Sequence, residues 1–299
     1  MIPDLRFLSQ PKTFWAPVRS ISQHIGYTDR STRQVKAPEA LDIRRAFQEL
    51  NLKHDHIVST ADEPTAFGNL LHAYFRLRAD LINDQAHPNL MDAAEANILF
   101  EETMAAGQPR FPIPMNKQKG NMKAPAYLTA IINTLIERAA DDAPCDFDPR
   151  ELTSVTRDQL PIRTLARRVD GAFPRVINPV AIWEIKEYYY TTTFGSRVAD
   201  GVYESLLDGL ELEELRINEN IDIKHYLMID GRLTWWDCGR SYLCRMVDML
   251  HMGYVDEVLV GREVTTRLPI LVGEWKKLMR NSAQTEELKK TSDVPLDSV

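Results

Sequence analysis

An acid–apolar–lysine triplet, Glu184-Ile185-Lys186, sits inside a strand-like run from Ala181 to Tyr190, downstream of an acid at Asp170. Side chains alternate faces along a strand. Glu184 and Lys186 therefore share one face, and Trp183 and Ile185 take the other. The apolar pair can lie on a core while the charged pair points into a cleft. Asp170, with Gly171 after it to permit a tight bend, can reach the same place. Two carboxylates and an ammonium form a hydrolytic kit: the acids hold a divalent cation, and the lysine orients a water or neutralises developing charge. A cleft-facing Glu184 would lose little packing on truncation, whereas Ile185 would face the core.

Placement has to select this triplet. With 43 acids and 12 lysines in 299 residues, roughly two acid-x-Lys triplets arise from composition alone, and four occur: Glu184/Lys186, Asp222/Lys224, Glu274/Lys276 and Glu287/Lys289. Glu287 lies in a polar C-terminal stretch. Glu274 follows the apolar run Leu268 to Val272, with little chain left to build a sheet. Asp222 opens a plausible strand, but the acid fourteen before it, Asp208, falls in a helical pattern. Only Glu184 has a turn-bounded acid upstream, an apolar opposite face, and a helix-strand-helix-strand series downstream.

That series and its surroundings can be read in order. Arg30, Arg33 and Lys36 lie in a polar stretch, Ser20 to Lys36, that reads either as a DNA-contacting arm or as ordinary surface. Pro38 suits the first turn of a helix to about Leu50. Apolar residues at helical spacing predict helices over Thr65–Asn83, Asn89–Met104 and Ala126–Ala140. Arg78 falls inside the first stripe, as an ion-paired residue or a phosphate ligand. The irregular Gly107–Pro125 stretch is basic, with Arg110, Lys117, Lys119 and Lys123 and no acid; it is a nucleic-acid backbone candidate or a solvated loop. Glu137 lies opposite the stripe of its helix and is left out of the site. Asp141–Arg157 reads as a loop, Pro161–Val169 as a strand and Gly171–Pro179 as a hairpin-like connection. Then come the Glu184 strand, a helix from Ser196 (its cap) to about Leu215 with the stripe Val198, Val202, Leu206 and Leu210, a strand His225–Ile229, a helix Arg240–Met252 and a strand Val255–Val260. Residues after about Arg280 read as a fraying tail.

Composition sets outer bounds. The chain is 44% hydrophobic and 26% charged, which suits a globular protein. A net charge of −7 does not by itself point to a polyanion partner, although a local basic cleft can exist on an acidic protein. Cys145, Cys238 and Cys244 have neither a disulfide framework nor metal-ligand spacing, which suits a reducing cytoplasm. No signal-peptide pattern and no long apolar run is present. Glycine-rich phosphate loops, G-x-S-x-G and paired-histidine metal motifs are also missing.

Helix, strand, Asp170, strand with Glu184-Ile185-Lys186, helix, strand, helix, strand resembles the core of the PD-(D/E)xK, restriction-endonuclease-like nuclease superfamily. The resemblance covers roughly residues 126–262 and departs from the motif at Val169, where a proline is usual. It implies an α/β fold, with a mixed central sheet flanked by helices and a helical N-terminal region. The organisation it implies is a mostly helical region at 1–110, the nuclease core at 111–285 and a polar tail at 286–299. It also implies that Asp170 and Glu184 bind Mg²⁺ together with the Ile185 carbonyl, that Lys186 is the motif lysine, and that the substrate is double-stranded DNA. The nearest type is a site-specific type II restriction enzyme, commonly a homodimer, with a cognate DNA methyltransferase encoded nearby. The alternatives are a repair or phage-defence nuclease of the same fold, a non-catalytic nucleic-acid-binding protein, and an unrelated α/β enzyme.

Overall fold

Several helices in this chain begin where a side-chain oxygen accepts from otherwise free backbone N–H groups. The computed structural model describes residues 1–59, 61, 63–118, 120, 123–190 and 195–292. Asp4 caps α1 (Leu5–Leu8), which precedes α2 (Trp15–Ile25) and α3 (Ala40–Glu49). Thr65 caps α4 (Ala66–Asp80), which widens into a looser turn (Leu81–Ala86) and ends in the short α5 (His87–Asn89). A reciprocal capping box between Asp92 and Glu95 starts α6 (Ala93–Ala105), later than the Asn89 start expected. Next comes α7 (Tyr127–Ala140).

Strands then dominate: β1 (Asp146–Phe147), β2 (Ser154–Arg157), β3 (Leu160–Thr164), β4 (Gly171–Phe173) and β5 (Ala181–Lys186). The remainder alternates as α8 (Ser196–Glu219), β6 (Lys224–Ile229), α9 (Arg240–His251), β7 (Glu257–Val260) and α10 (Val264–Ser292). The central sheet has the order β1-β4-β5-β6-β7. Its β1/β4 and β4/β5 pairs are antiparallel, and β5/β6 and β6/β7 are parallel. β2 and β3 form a separate hairpin. The architecture is mixed α/β, a central sheet flanked by helices.

Period-two alternation divides the molecule into layers. Ala181 and Trp183 of β5 and Tyr226 and Met228 of β6 face one side, under α6, α7 and α10. Leu227 and Ile229 of β6 face the other, under α8, α9 and the N-terminal helices. On that same side Ile182 of β5 packs with Leu165, Val169, Leu212 and Leu215 in a smaller cluster. The residues from Phe7 to Leu90 share one apolar cluster with α9 and β7, so the N-terminal helices have no separate core.

Several expectations are corrected. The stretch read as a loop before Arg157 holds β1 and β2, and the strand expected over Pro161–Val169 ends at Thr164. Gly171 does not make a bend; it opens β4, paired with Trp183. Its role is close approach, since a Cβ there would lie 2.0 Å from the Trp183 indole. Ser196 is the first residue of α8 rather than its cap, and Gly195 holds the cap position. The expected tail at 286–299 is helical as far as Ser292 within α10, and 293–299 lie outside the described residues.

Gly171→Ala therefore forces the indole or β4 to shift. The expected cost is about 3 kcal/mol, read as a lower urea midpoint; an unchanged midpoint would show that the indole does not pack on this glycine.

Candidate active site

β5 carries two adjacent functions on opposite faces. Trp183 is stacked on Trp275 of α10 at 5.5 Å and 8°. Glu184 and Lys186 point the other way, beneath α8. They do not open onto a cleft as expected: Glu184 is 0% exposed and Lys186 5%. Truncating Glu184 is therefore not neutral for packing, because it strands two cations in a buried setting.

The charges are met by partners from three elements. Lys186 Nζ lies 2.7 Å from Glu184 Oε2 and 3.1 Å from Glu204 Oε2 of α8. Arg167, in the loop between β3 and β4, reaches Glu184 Oε1 (2.9 Å) and Asp208 Oδ2 of α8 (2.6 Å) through Nη1. Its Nη2 donates to Glu184 Oε2 at 3.0 Å. Asp170 Oδ2 accepts from the Ile185 N–H at 2.7 Å. A strand residue's N–H and C=O share one edge, so the Ile185 carbonyl also lies on the Asp170 side.

Electrostatics follow from this crowding. Burial and the Glu184 charge push Asp170 up to about 6, against Lys186 and Arg167. Burial and the same charge push Asp208 up to about 7, against Arg167. Burial opposes ionisation of Glu184 too, yet Lys186 and Arg167 hold it below the usual carboxylate range. Lys186 is held firmly protonated: burial works against its charge, and Glu184 and Asp170 outweigh burial.

The expected site residues thus converge in part. Asp170, Glu184, Lys186 and the Ile185 backbone are together. Arg167, Asp208 and Glu204 belong with them, and none was picked out from sequence. Among the other triplets, Asp222 and Lys224 form an ion pair at 2.6 Å. Lys276 caps the end of α7 through the Ala140 carbonyl (3.1 Å). Arg78 is the buried, ion-paired residue of the two readings, 3.1 Å from Asp248.

The basic segments divide. Lys117 and Lys123 are exposed, in a loop whose Gln118 side chain donates to the Tyr190 carbonyl, four residues past Lys186. That bond holds the loop beside the outgoing end of β5. Lys119 lies outside the described residues. Arg110 is paired with Glu137 at 3.4 Å. Arg30 and Arg33 are exposed, while the Lys36 ammonium donates to the Ile25 carbonyl (2.9 Å), which weakens its case as a DNA contact. Burial and the charge of Arg33 lower the Arg240 pKa. The Arg240 guanidinium lies over Trp236, which stacks on His87 at 3.8 Å.

Among the described residues no three His, Cys, Asp or Glu side chains are gathered as a ready metal cage. The donor set still suits a hard cation of the Mg²⁺ kind, which takes few protein ligands and keeps its waters. Four carboxylates (Asp170, Glu184, Glu204 and Asp208) face two cations (Arg167 and Lys186), a formal excess of two negative charges. Asp208 Oδ1 is buried without a hydrogen-bond partner. A divalent cation matches that excess in sign, and would favour the ionised forms of Asp170 and Asp208 that burial and Glu184 oppose.

Fold and site define a mixed α/β protein with a buried, acid-rich ion-pair cluster between its central sheet and one helix. Residues 91–275 match the family described as Domain of unknown function (DUF7687), and the chain belongs to that family. Residues 1–85 match Domain of unknown function (DUF7690). No curated protein and no solved structure matches the chain. Among the described residues no helix is long and apolar enough to cross a membrane.

Asp230, at the end of β6 near this cluster, gives a pH test away from the candidate ligands. It is fully buried and accepts from the Tyr188 N–H and from Trp235 Nε1 (2.9 Å). Burial raises its pKa from 3.8 to about 7. The folded state therefore binds the proton more tightly than the unfolded chain. That contribution is full below the unfolded value and is lost as pH rises through about 7. Asp230→Asn should shrink the fall in urea midpoint between pH 5 and pH 8. An equal fall in both proteins would place the titration elsewhere.

Proposed function

We propose that the chain is a Mg²⁺-dependent endonuclease that hydrolyses phosphodiester bonds of double-stranded DNA, with a restriction-endonuclease-like core. The observation that carries this reading is the convergence of Asp170, Glu184, the Ile185 backbone and Lys186 on one side of β5, inside an acid-rich cluster. Asp170, Glu184 and the Ile185 carbonyl would hold the ion. When bound, it would supply Lewis acidity toward water and phosphate oxygen. Lys186, kept protonated by its acids, would offer a fixed positive charge to a phosphate once the half-exposed Glu204 and Arg167 that cover the cluster give way. The cluster between β5 and α8 excludes bulk water and strengthens that charge. Exposed Lys117 and Lys123 beside the end of β5, and exposed Arg30 and Arg33, offer phosphate contacts.

Within this reading the chain is a type II site-specific restriction enzyme that acts as a homodimer in the cytoplasm, beside a gene for a cognate methyltransferase; a repair or phage-defence nuclease is the variant of it. One observation favours a non-catalytic nucleic-acid-binding protein instead: both Glu184 oxygens are already covered by cations.

Cleavage separates these readings. Plasmid DNA should be cut with Mg²⁺ and left intact with excess chelator, as discrete bands for a site-specific enzyme and a smear for a non-specific one. Lys186→Ala should lower the rate at least about a hundredfold without loss of DNA binding. Binding without cutting in Mg²⁺ or Mn²⁺ would select the non-catalytic reading, and cutting in chelator would overturn the carboxylate site.

Neutralising Lys117 and Lys123 together should reduce the slope of log affinity against log salt by up to about two units. An unchanged slope would return the loop to ordinary solvated surface.

A further inference from the structure

Every side-chain ion pair of Arg167 is to a carboxylate: Asp208 at 2.6 Å, Glu184 at 2.9 Å and Glu204 at 3.4 Å. Nη2 donates to one Glu184 oxygen, and Nη1, which donates to Asp208, lies in ion-pair contact 2.9 Å from the other, so the guanidinium sits over both oxygens from one side. A cation ligated by Glu184 must use the same oxygens. Guanidinium and metal ion are therefore competitors.

The competitors differ in freedom to move. Glu184 and Asp208 are both 0% exposed, on a central strand and on the buried face of α8. The backbone around Arg167 is also fixed: Leu165 and Val169 are buried beside Leu212, and the Ala166 N–H donates to Glu211 at 3.1 Å. The Arg167 side chain is 24% exposed. It can swing outward about its own torsions while its backbone stays in place. Lys186, 6% exposed, has no such exit. Of the two cations on Glu184, Arg167 is the one that can leave.

We propose that Arg167 is the resident counter-ion of the metal-free site, displaced when a divalent cation binds Glu184, and that it thereby sets the metal affinity of the site. The guanidinium stabilises the acid cluster before metal arrives and opposes loading afterwards. This rests on the nuclease reading for the identity of the cation.

The test is calorimetric titration of Mn²⁺ into the full chain without DNA, with melting curves alongside. Arg167→Gln should bind Mn²⁺ about tenfold more tightly than wild type, or better. It should melt lower than wild type without metal and recover more on adding Mn²⁺. Unchanged or weaker Mn²⁺ affinity in Arg167→Gln, with wild type binding normally, would overturn the counter-ion role and leave the nuclease reading standing. If Arg167→Gln does not fold, Arg167→Lys replaces the two-pronged fork with a single ammonium. It should show a smaller gain in affinity, and no gain there overturns the proposal equally. Absence of binding in wild type and variants, or undiminished binding in Glu184→Gln, would remove the metal site itself and this inference with it.

Discussion

A carboxylate cannot be buried alone, and Glu184 is wholly buried. Its charge is kept by two cations of different origin, Lys186 two residues along the same strand and Arg167 from the loop ahead of β4. Those cations in turn bind Glu204 and Asp208, four residues apart on one face of α8. The cluster therefore fixes where α8 lies on the sheet. Gly201 permits the approach: a Cβ there would come within 2.6 Å of the Tyr188 hydroxyl and 3.3 Å of the Lys186 chain. In a low-dielectric setting such a network is costly to break from one side. The geometry of the candidate site and the docking of the helix are one constraint.

The opposite face supplies the rigidity this needs. Trp183 lies between the Gly171 backbone and Trp275, and Tyr226 and Phe173 also pack on Trp275. The indole holds β4 against β5, and β4 is where Asp170 enters the sheet. Glu187, next after the triplet, faces away from the cluster and accepts from the Thr129 N–H (2.9 Å) at the start of α7. β5 and the residue after it thus set three things at once: an aromatic stack, a charge cluster and a contact with the start of a helix.

What sequence reading could and could not see follows from how each feature is encoded. The helices around Leu71, Ile131 and Leu243, and the shared face of Glu184 and Lys186, are local periodicities and are legible. β1 and β2 are too short to register as patterns. The burial of Glu184 was not legible, because it depends on which helix covers the strand. Asp208 was visible, but its helical setting counted against it; on α8 the buried line runs Val198, Gly201, Val202, Ser205, Asp208, Gly209, Leu212 and Leu215. A stripe drawn through Leu206 and Leu210 follows the larger apolar residues, yet Leu210 is exposed. Small and acidic residues recurring at helical spacing were the available sign of a polar niche. Arg167 carries no local signal, since its partners lie 17 to 41 residues away.

The boundary between the two family matches, at residues 85 and 91, is not a boundary of the folded protein. Asp248 of α9 accepts from Tyr74, and from Arg78 Nη1 at 3.1 Å, and both partners come from α4. Arg78 is 1% exposed and Asp248 5%. Separated, the 1–85 segment would keep a guanidinium in an apolar stripe with no carboxylate, and the 91–275 segment would keep the carboxylate with no cation. Each half would have to expose that charge and the apolar surface around it, which includes Phe7, Phe14 and Trp15 on one side and Leu243, Val247 and Leu250 on the other. α9 leads into β7, and β7 pairs with β6, the neighbour of β5. The N-terminal helices thus support the sheet that carries Glu184 through a buried ion pair and a continuous core, although every residue of the candidate site lies in the second segment.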